Sequence, residues 1–173
     1  EEIGPEAVGD LFPDLSDPIA AASLAQVHRL QTPDGARAVK ILRPGVETVI
    51  NRELRAMKRA AKTVERVSAD SRRLKPVAFT ETVAESMQKE LDLRLEAGGA
   101  DEMRALSYKA GYYHIPEVDW SRSGKRVLTT EWIDGKPLTD PTAADTASVD
   151  RPTLATMVTR GFLDHAIHHG VFL

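Results

Sequence analysis

The stretch that decides the fold reads Pro18-Ile19-Ala20-Ala21-Ala22-Ser23-Leu24-Ala25-Gln26-Val27-His28, turns at Thr32-Pro33-Asp34-Gly35, and continues as Ala36-Arg37-Ala38-Val39-Lys40-Ile41-Leu42-Arg43-Pro44-Gly45. This order of residue types predicts a strand, a loop of small residues, a second strand, a tight turn and a third strand. Asp34 and Gly35 are residue types that tolerate the positive φ of a hairpin turn. The stretch therefore predicts an antiparallel sheet near the start of the chain.

The third of these strands carries a lysine, Lys40, between the apolar residues Val39 and Ile41. Because side chains alternate along a strand, Lys40 points to the face opposite both neighbours. An ammonium group in a mostly apolar strand needs an anion or water, since leaving it unpaired in a core is costly. From the residues alone, two interpretations stay open: a lysine that holds nucleotide phosphates, and an edge-strand lysine that reaches solvent.

The composition limits the class of protein. The chain has 173 residues, 42% of them hydrophobic, a formal net charge of −3 and no cysteine. The length fits one domain of ordinary size, or part of a larger one, and the charge gives no global case for a nucleic-acid partner or an anionic membrane surface. Without cysteine there is no disulfide and no thiolate chemistry, which is compatible with a reducing cytosol. No apolar run approaches the ~20 residues of a membrane helix, and no signal peptide is present. We therefore expect a cytoplasmic protein.

Two long helices are predicted after the hairpin. Apolar residues recur with helical spacing on one face from Val46 to about residue 68, which predicts a packing helix with a solvated back. A second helix is predicted from about Val77 to Ala97. Its expected buried stripe is Val83, Met87, Leu91 and Leu95. We expect Gly98-Gly99 to end or kink this helix.

The period then changes to that of strands. Residues 115–120 and 126–133 are strand candidates, so we expect an α+β fold with an antiparallel sheet of about five strands and long helices inserted after the third. A polar stretch follows, with a short helix expected at Ala143 to Thr146. The last predicted helix runs from Thr153 to His169, with Asp150 as its N-cap. Its expected buried residues are Leu154, Met157, Val158, Phe162 and Ile167.

Two sets of polar side chains on these helices are candidates for chemistry. Glu90, Asp92 and Glu96 lie on the second helix, where one carboxylate could face Lys40; an exposed acidic face is the alternative. His165 and His169 are four residues apart, a spacing that can hold a metal ion. We favour a partly buried helix end for these histidines, since they suit the negative end of the helix dipole, and we predict no metal site.

Taken together, the motifs resemble the UbiB family of atypical protein-kinase-like proteins linked to isoprenoid-quinone biosynthesis. Pro18 to His28 resembles the alanine-rich nucleotide loop of that family, and Ala38 to Val46 its lysine strand. Lys89-Glu90-Leu91-Asp92-Leu93-Arg94-Leu95-Glu96-Ala97 is similar to its Glu-x-Asp segment, Val127 to Leu138 to its hinge, and His169-Gly170-Val171-Phe172 to the lead-in to its catalytic loop. The resemblance covers nearly the whole chain, with the blocks in the family's order.

The resemblance implies a protein-kinase-like N-terminal lobe with hinge at residues 1–135 and the start of a C-terminal lobe, including its first helix, at 136–173. It implies ATP or ADP as the ligand. Lys40 would contact the α- and β-phosphates and Glu96 would pair with it. Around the nucleotide, Ala20, Ala21, Ala22 and Ser23 would take the place of a glycine-rich loop, and the Glu131 carbonyl and the Ile133 amide would hydrogen-bond the adenine. Glu90 and Asp92 would form the family's own motif.

The chain departs from the family pattern at both ends. The family's Lys-x-Gly-Gln segment would precede Glu1, and its catalytic loop and Mg²⁺-binding aspartate would follow Phe172. The chain also lacks a starting Met. We therefore expect a fragment of a longer protein that cannot turn over ATP by itself, with Mg²⁺ bound by the full-length parent.

Three functions remain open at this point. The first is an atypical kinase-like ATPase that supports isoprenoid-quinone or lipid metabolism. The second is a non-catalytic, nucleotide-sensing scaffold. The third is a small-molecule phosphotransferase related to choline or aminoglycoside kinases, which would not need the alanine-rich loop. The resemblance adds a membrane lipid or quinone-biosynthesis proteins as further partners, and a peripheral position at the inner face of a membrane for the full-length parent.

Overall fold

The computed structural model of the chain describes residues 9–67, 69–111, 113–140, 142 and 150–170. Four strands form one antiparallel sheet in the order in which they occur in the chain. They are β1 (Ala20–Ala21), β2 (Ala25–Thr32), β3 (Gly35–Leu42) and β4 (Val127–Glu131). The α+β class predicted from the sequence is confirmed.

The predicted hairpin is present between β2 and β3. Thr32 pairs with Gly35 across a two-residue turn, and Gly35 has a φ of +119°, a conformation that side chains disfavour. The Thr32 hydroxyl donates to the Gly35 carbonyl at 2.7 Å. Lys40 pairs with Val27 on one side and with Leu128 on the other. Because β3 has a neighbour on each side, the interpretation of Lys40 as an edge-strand lysine is wrong.

A fifth strand does not form among the described residues. Between Ile115 and Trp120, the described backbone pairs with the sheet only at one isolated bridge, Val118 to Thr130. Pro116 has no amide hydrogen for a ladder. The Asp119 carboxylate then accepts from the Ser121 amide at 3.1 Å and caps a 3₁₀ turn, Trp120–Arg122. The expectation of about five strands is corrected to four, because this turn leaves the ladder after one bridge.

After the β2–β3 hairpin, the described helices are α1 (Val46–Val67), α2 (Ala69–Arg73), α3 (Pro76–Glu90), α4 (Leu93–Ala110) and α5 (Arg151–Asp164). A π-helical turn, His165–His169, continues α5. The predicted first long helix is confirmed, but much of its apolar face stays exposed, including Val49, Met57, Val64 and Val67. The contacts of α1 are mainly with α3 and α2, and so few partners cannot cover the whole stripe.

The predicted second helix is two helices, with a break at Leu91-Asp92 rather than at the glycines. Asp92 is extended and its carboxylate accepts from the Arg94 amide at 3.1 Å, so it is the N-cap of α4. Gly98 and Gly99 lie inside α4. A good N-cap stabilises a helix start by about 1 kcal/mol, which offsets the similar cost of one glycine in a helix interior.

The break places the main core between α4 and the sheet. The buried residues of this core are Ala25, Leu42, Val46, Leu91, Leu93, Ala97, Val118 and Leu128. Leu95, expected in the buried stripe, is 57% exposed, because the new helix turns it toward an open cleft. The packing of α4 under β2, β3 and β4 is what brings the candidate site together.

The last helix begins as predicted, with the Asp150 carboxylate accepting from the Thr153 amide at 2.9 Å. Its buried face was predicted wrongly in part, since Met157, Phe162 and Ile167 are exposed. Gly161 and His165 are buried instead, because α5 packs that side against Tyr113 and Ser107. The short helix expected at Ala143 to Thr146 lies outside the described residues.

Candidate functional site

One open cleft lies between the sheet and α4, with a cavity of about 720 Å³. Its lining contains four of the predicted site residues, namely Lys40, Glu90, Asp92 and Glu96. Pockets for small molecules and cofactors usually have volumes of about 300–1,000 Å³. The cleft is therefore large enough for a nucleotide-sized ligand.

Lys40 and Glu96 form an ion pair in this cleft. The Lys40 Nζ lies 2.8 Å from Oε1 and 2.6 Å from Oε2 of Glu96. The two side chains are 30% and 42% exposed, respectively. An ammonium group has three donors, and two of them point at the carboxylate. The third is left for an anion in the cleft, so the pair can orient Lys40 toward a phosphate.

Glu90 and Asp92 lie at the junction between α3 and α4, but their surroundings differ. The Asp92 carboxylate accepts hydrogen bonds from Nε of Arg94 at 2.8 Å and from Nη2 of Arg94 at 2.6 Å. This bidentate hydrogen bonding from Arg94 lowers the pKa of Asp92, against the opposing effect of burial. Glu90 is exposed at the last position of α3. Asp92 therefore has a structural role that the sequence did not reveal, and Glu90 projects from the cleft wall.

The alanine-rich loop is a short hairpin beside the cleft. Ala20 and Ala21 form β1, paired with Val27 and Gln26. The Ala22 amide donates to the Ala25 carbonyl at 3.0 Å, and Arg43 donates through Nη2 to the Ala22 carbonyl at 3.3 Å. Ser23 is exposed at the turn. None of these four predicted loop residues, 20–23, is among the residues that line the cleft.

The predicted hinge lies at the end of β4. The Glu131 amide donates to the Glu117 carbonyl at 2.8 Å, and the Trp132 amide donates to the Ala36 carbonyl at 3.2 Å. Among the residues that the structure describes, the Ile133 amide has no hydrogen-bond acceptor. Burial raises the pKa of the Glu131 carboxyl. The hydrogen bonds with His114 and with the Glu117 amide lower it and, with the nearby positive charges, outweigh the burial, so the pKa of Glu131 lies below its usual value.

The walls of the cleft were missed by sequence reasoning. Apolar atoms come from both sides of Lys40: Val27, Ala38 and Leu128 from the sheet, and Ile115 and Pro116 from the segment after α4. Val27 and Leu128 are the register partners of Lys40 and so share its face of the sheet. Strand alternation would have revealed this set once the register was known. The lining suits a flat, apolar ring next to a charged end.

No metal site is assembled by the described residues. No group of three or more His, Cys, Asp or Glu side chains in that part of the chain is placed to hold an ion. His165 uses both ring nitrogens, with Ser107 and with the Gly161 carbonyl, which removes it as a ligand shared with His169. The expectation that the full-length parent binds Mg²⁺ stays a prediction. A search of the described helices finds none long and apolar enough to cross a bilayer.

Comparison with known proteins gives consistent matches. A family model described as the ABC1 atypical kinase-like domain matches residues 2–173. A curated relative in Marinobacter nauticus, named probable protein kinase UbiB, is 37% identical over 172 residues, covering 94% of this chain and 31% of the relative. A relative of the same name in Cellvibrio japonicus is 33% identical over 168 residues, covering 96% and 30%. A relative of the same name in Pseudomonas putida strain W619 is 34% identical over 167 residues, which cover 95% of this chain and 31% of the relative. The chain spans about a third of the length of these relatives.

Proposed function

The chain belongs to the ABC1 atypical kinase-like family, and we propose that it is the ATP- or ADP-binding portion of an atypical kinase-like ATPase. The observation that carries this proposal is the Lys40–Glu96 ion pair at the wall of the cleft. An equivalent pair orients the phosphate-binding lysine of protein kinases. Here the two residues are 56 positions apart in sequence, so only the packing of α4 under the sheet brings them together.

The rest of the site supports a nucleotide in a definite orientation. The apolar walls at Val27, Ala38 and Leu128 would enclose the adenine, while the third donor of Lys40 would meet the phosphates. The hydroxyl of Ser23 is exposed on the neighbouring loop and would reach a phosphate if that loop closes over the ligand. The Ile133 amide and the Glu131 carbonyl would hold the adenine edge through the backbone.

The methyl groups of the alanine-rich loop would make the cradle stiffer than a glycine loop, since each restricts φ. We infer that this loop favours nucleotide binding with little or no phosphorylation of proteins. Because the motifs resemble those of UbiB proteins, we extend the proposal to isoprenoid-quinone or lipid metabolism. In the whole protein, a membrane lipid or a quinone-biosynthesis protein would then be the partner, at the inner face of a membrane. The residues that act on the γ-phosphate would be supplied from outside the described part of the chain, so we propose that the chain alone does not turn over ATP.

Thermal unfolding of the full natural protein with and without Mg-ATP or Mg-ADP tests the proposal. A ligand at 100 times its Kd stabilises the folded state by about 2.7 kcal/mol. We expect Lys40→Met, which keeps most of the aliphatic stem, to abolish the nucleotide-dependent shift. Lys58→Met is the matched control, because Lys58 forms a 2.7 Å ion pair with Glu81 on α1 and α3, away from the cleft.

The outcomes separate the candidate functions. A shift in the wild type and in Lys58→Met, but not in Lys40→Met, supports the proposal. No shift in the wild type, or an equal shift in Lys40→Met, refutes it. Ala21→Gly should change the preference between ATP and ADP if the loop contacts the phosphates. Nucleotide binding by the full protein without any turnover would instead favour the nucleotide-sensing scaffold.

A further inference from the structure

A buried hydrogen-bonded chain links α4 to α5. The Ser107 hydroxyl lies 2.9 Å from Nε2 of His165, and Nδ1 of His165 lies 2.7 Å from the Gly161 carbonyl. Ser107 and His165 are each 1% exposed. Polar side chains are rarely buried so completely unless their hydrogen bonds are satisfied, and both are satisfied here.

The Gly161 carbonyl fixes the place of one hydrogen on the His165 ring. A carbonyl oxygen can only accept, so Nδ1 of His165 carries the hydrogen and donates it to Gly161. Nε2 of His165 and the Ser107 hydroxyl share the second hydrogen bond, at 2.9 Å, so hydrogen bonds hold both edges of the buried ring.

Tyr113 also contacts α5. Its hydroxyl donates to the Val158 carbonyl at 2.6 Å, and its ring centroid lies 5.8 Å from that of His165. The ring packs against Gly161 so closely that a Cβ there would lie 2.8 Å from Cε2 of Tyr113 and nearer still to Cζ and the hydroxyl. We call Ser107, Tyr113, Val158, Gly161 and His165 the clasp.

The clasp acts on the helix that carries Glu96. Ser107 and Glu96 are 11 residues apart on α4, which is about 16 Å along the axis at 1.5 Å per residue. The Lys40–Glu96 pair is itself partly exposed, and exposed ion pairs contribute too little free energy to hold a whole helix in place. The orientation of Glu96 therefore depends on how α4 is held elsewhere.

We propose that Ser107 and His165 are positioning residues, which hold α4 in the rotation that keeps Glu96 on Lys40 and thereby couple the nucleotide site to α5. This inference rests on the proposed nucleotide binding. It predicts that movement of α5, and of whatever packs on α5 in the full protein, changes nucleotide affinity without touching the nucleotide.

A double-mutant cycle in the full natural protein tests the coupling. Ser107→Ala should weaken Mg-ADP binding about five-fold or more, a typical allosteric coupling. The same substitution in a Glu96→Gln background should change the Kd by less than about two-fold, because the route through Glu96 is already lost. An equal loss in both backgrounds would overturn the inference.

Hydrogen exchange without nucleotide supplies a second, independent readout. Ser107→Ala should accelerate exchange of the amides at residues 97–100 of α4, beyond the acceleration caused by Thr80→Val. That control removes the buried hydroxyl of Thr80, which donates to the Val77 carbonyl at 2.7 Å in α3. Equal protection in the two variants would refute the clasp, whatever the nucleotide result. If the wild type does not bind Mg-ADP, the proposed function fails, and this measurement alone decides whether the clasp holds α4.

Discussion

Replacing Asp92 should destabilise the chain through the start of α4. Asp92→Ala removes the N-cap acceptor of the Arg94 amide and the carboxylate that pairs with the Arg94 guanidinium. An N-cap contributes about 1 kcal/mol, and an ion pair whose arginine is half exposed adds roughly 0.5 kcal/mol. The expected loss of unfolding free energy is therefore about 1.5 kcal/mol, which lowers the Tm by about 3–6 °C for a chain of this size.

Glu90→Ala is the matched control, because Glu90 belongs to the same motif but is exposed at the last position of α3. We expect its effect to stay within about 0.5 kcal/mol. Asp92→Asn should fall between the two, since an amide oxygen still caps a helix. Equal losses for Asp92→Ala and Glu90→Ala, measured by urea or thermal unfolding at pH 7, would refute the capping argument.

The pH dependence of this effect has a definite sign. Hydrogen bonds from Arg94 lower the pKa of Asp92 in the folded state below its ordinary value of 3.8. A lowered folded pKa stabilises the protein at pH values above the unfolded pKa, and the stabilisation is lost as the pH falls through the folded pKa. The stability difference between the wild type and Asp92→Asn should therefore shrink below about pH 4.

Two further predictions concern other contacts. Gly161→Ala should cost about 1–3 kcal/mol, because the new methyl overlaps the Tyr113 ring. Gly98→Ala in α4, where a Cβ meets open space, should instead stabilise by about 0.5–1 kcal/mol. Thermal unfolding measures both variants, and changes in Tm of the same sign would contradict the packing. Asp119→Ala should cost about 1–3 kcal/mol at pH 7, since Asp119 accepts from the Ser121 amide and hydroxyl and pairs with Arg122. Burial raises the pKa of Asp119, but these hydrogen bonds outweigh it and leave the pKa lowered. The cost should therefore shrink as the pH falls through that pKa, and a cost that stays unchanged as the pH is lowered would contradict the assignment.

Local patterns predicted the elements whose causes lie within a few residues. The β2–β3 hairpin was predictable from Asp34-Gly35, because positive φ is a property of one residue. The start of α5 was predictable from Asp150, because a cap acts within three positions. The length of α1 followed from its period, although its exposed apolar face did not.

Features that depend on contacts between distant residues were not predicted from the sequence. The break before α4 was missed because Asp92, read as part of an acidic helix face, acts as a cap once Leu91 and Leu93 are both buried in the core. The fifth strand was overpredicted because strand propensity does not reveal whether a partner continues beyond one bridge. The buried face of α5 depended on Ser107 and Tyr113, residues that no periodicity within α5 can indicate.

Lys40 shows most clearly which features follow from the sequence and which depend on the tertiary structure. The sequence by itself determined that a lysine lies inside an apolar strand after an alanine-rich loop, and that the surrounding motifs resemble one family. It left open whether that lysine was an edge residue or a phosphate ligand. Only the tertiary structure decided that β3 is an inner strand and that Glu96 lies 2.6 Å from Nζ. The reason is physical: alternation orients a side chain from its own strand, but its partner is chosen by how a distant helix packs against the sheet.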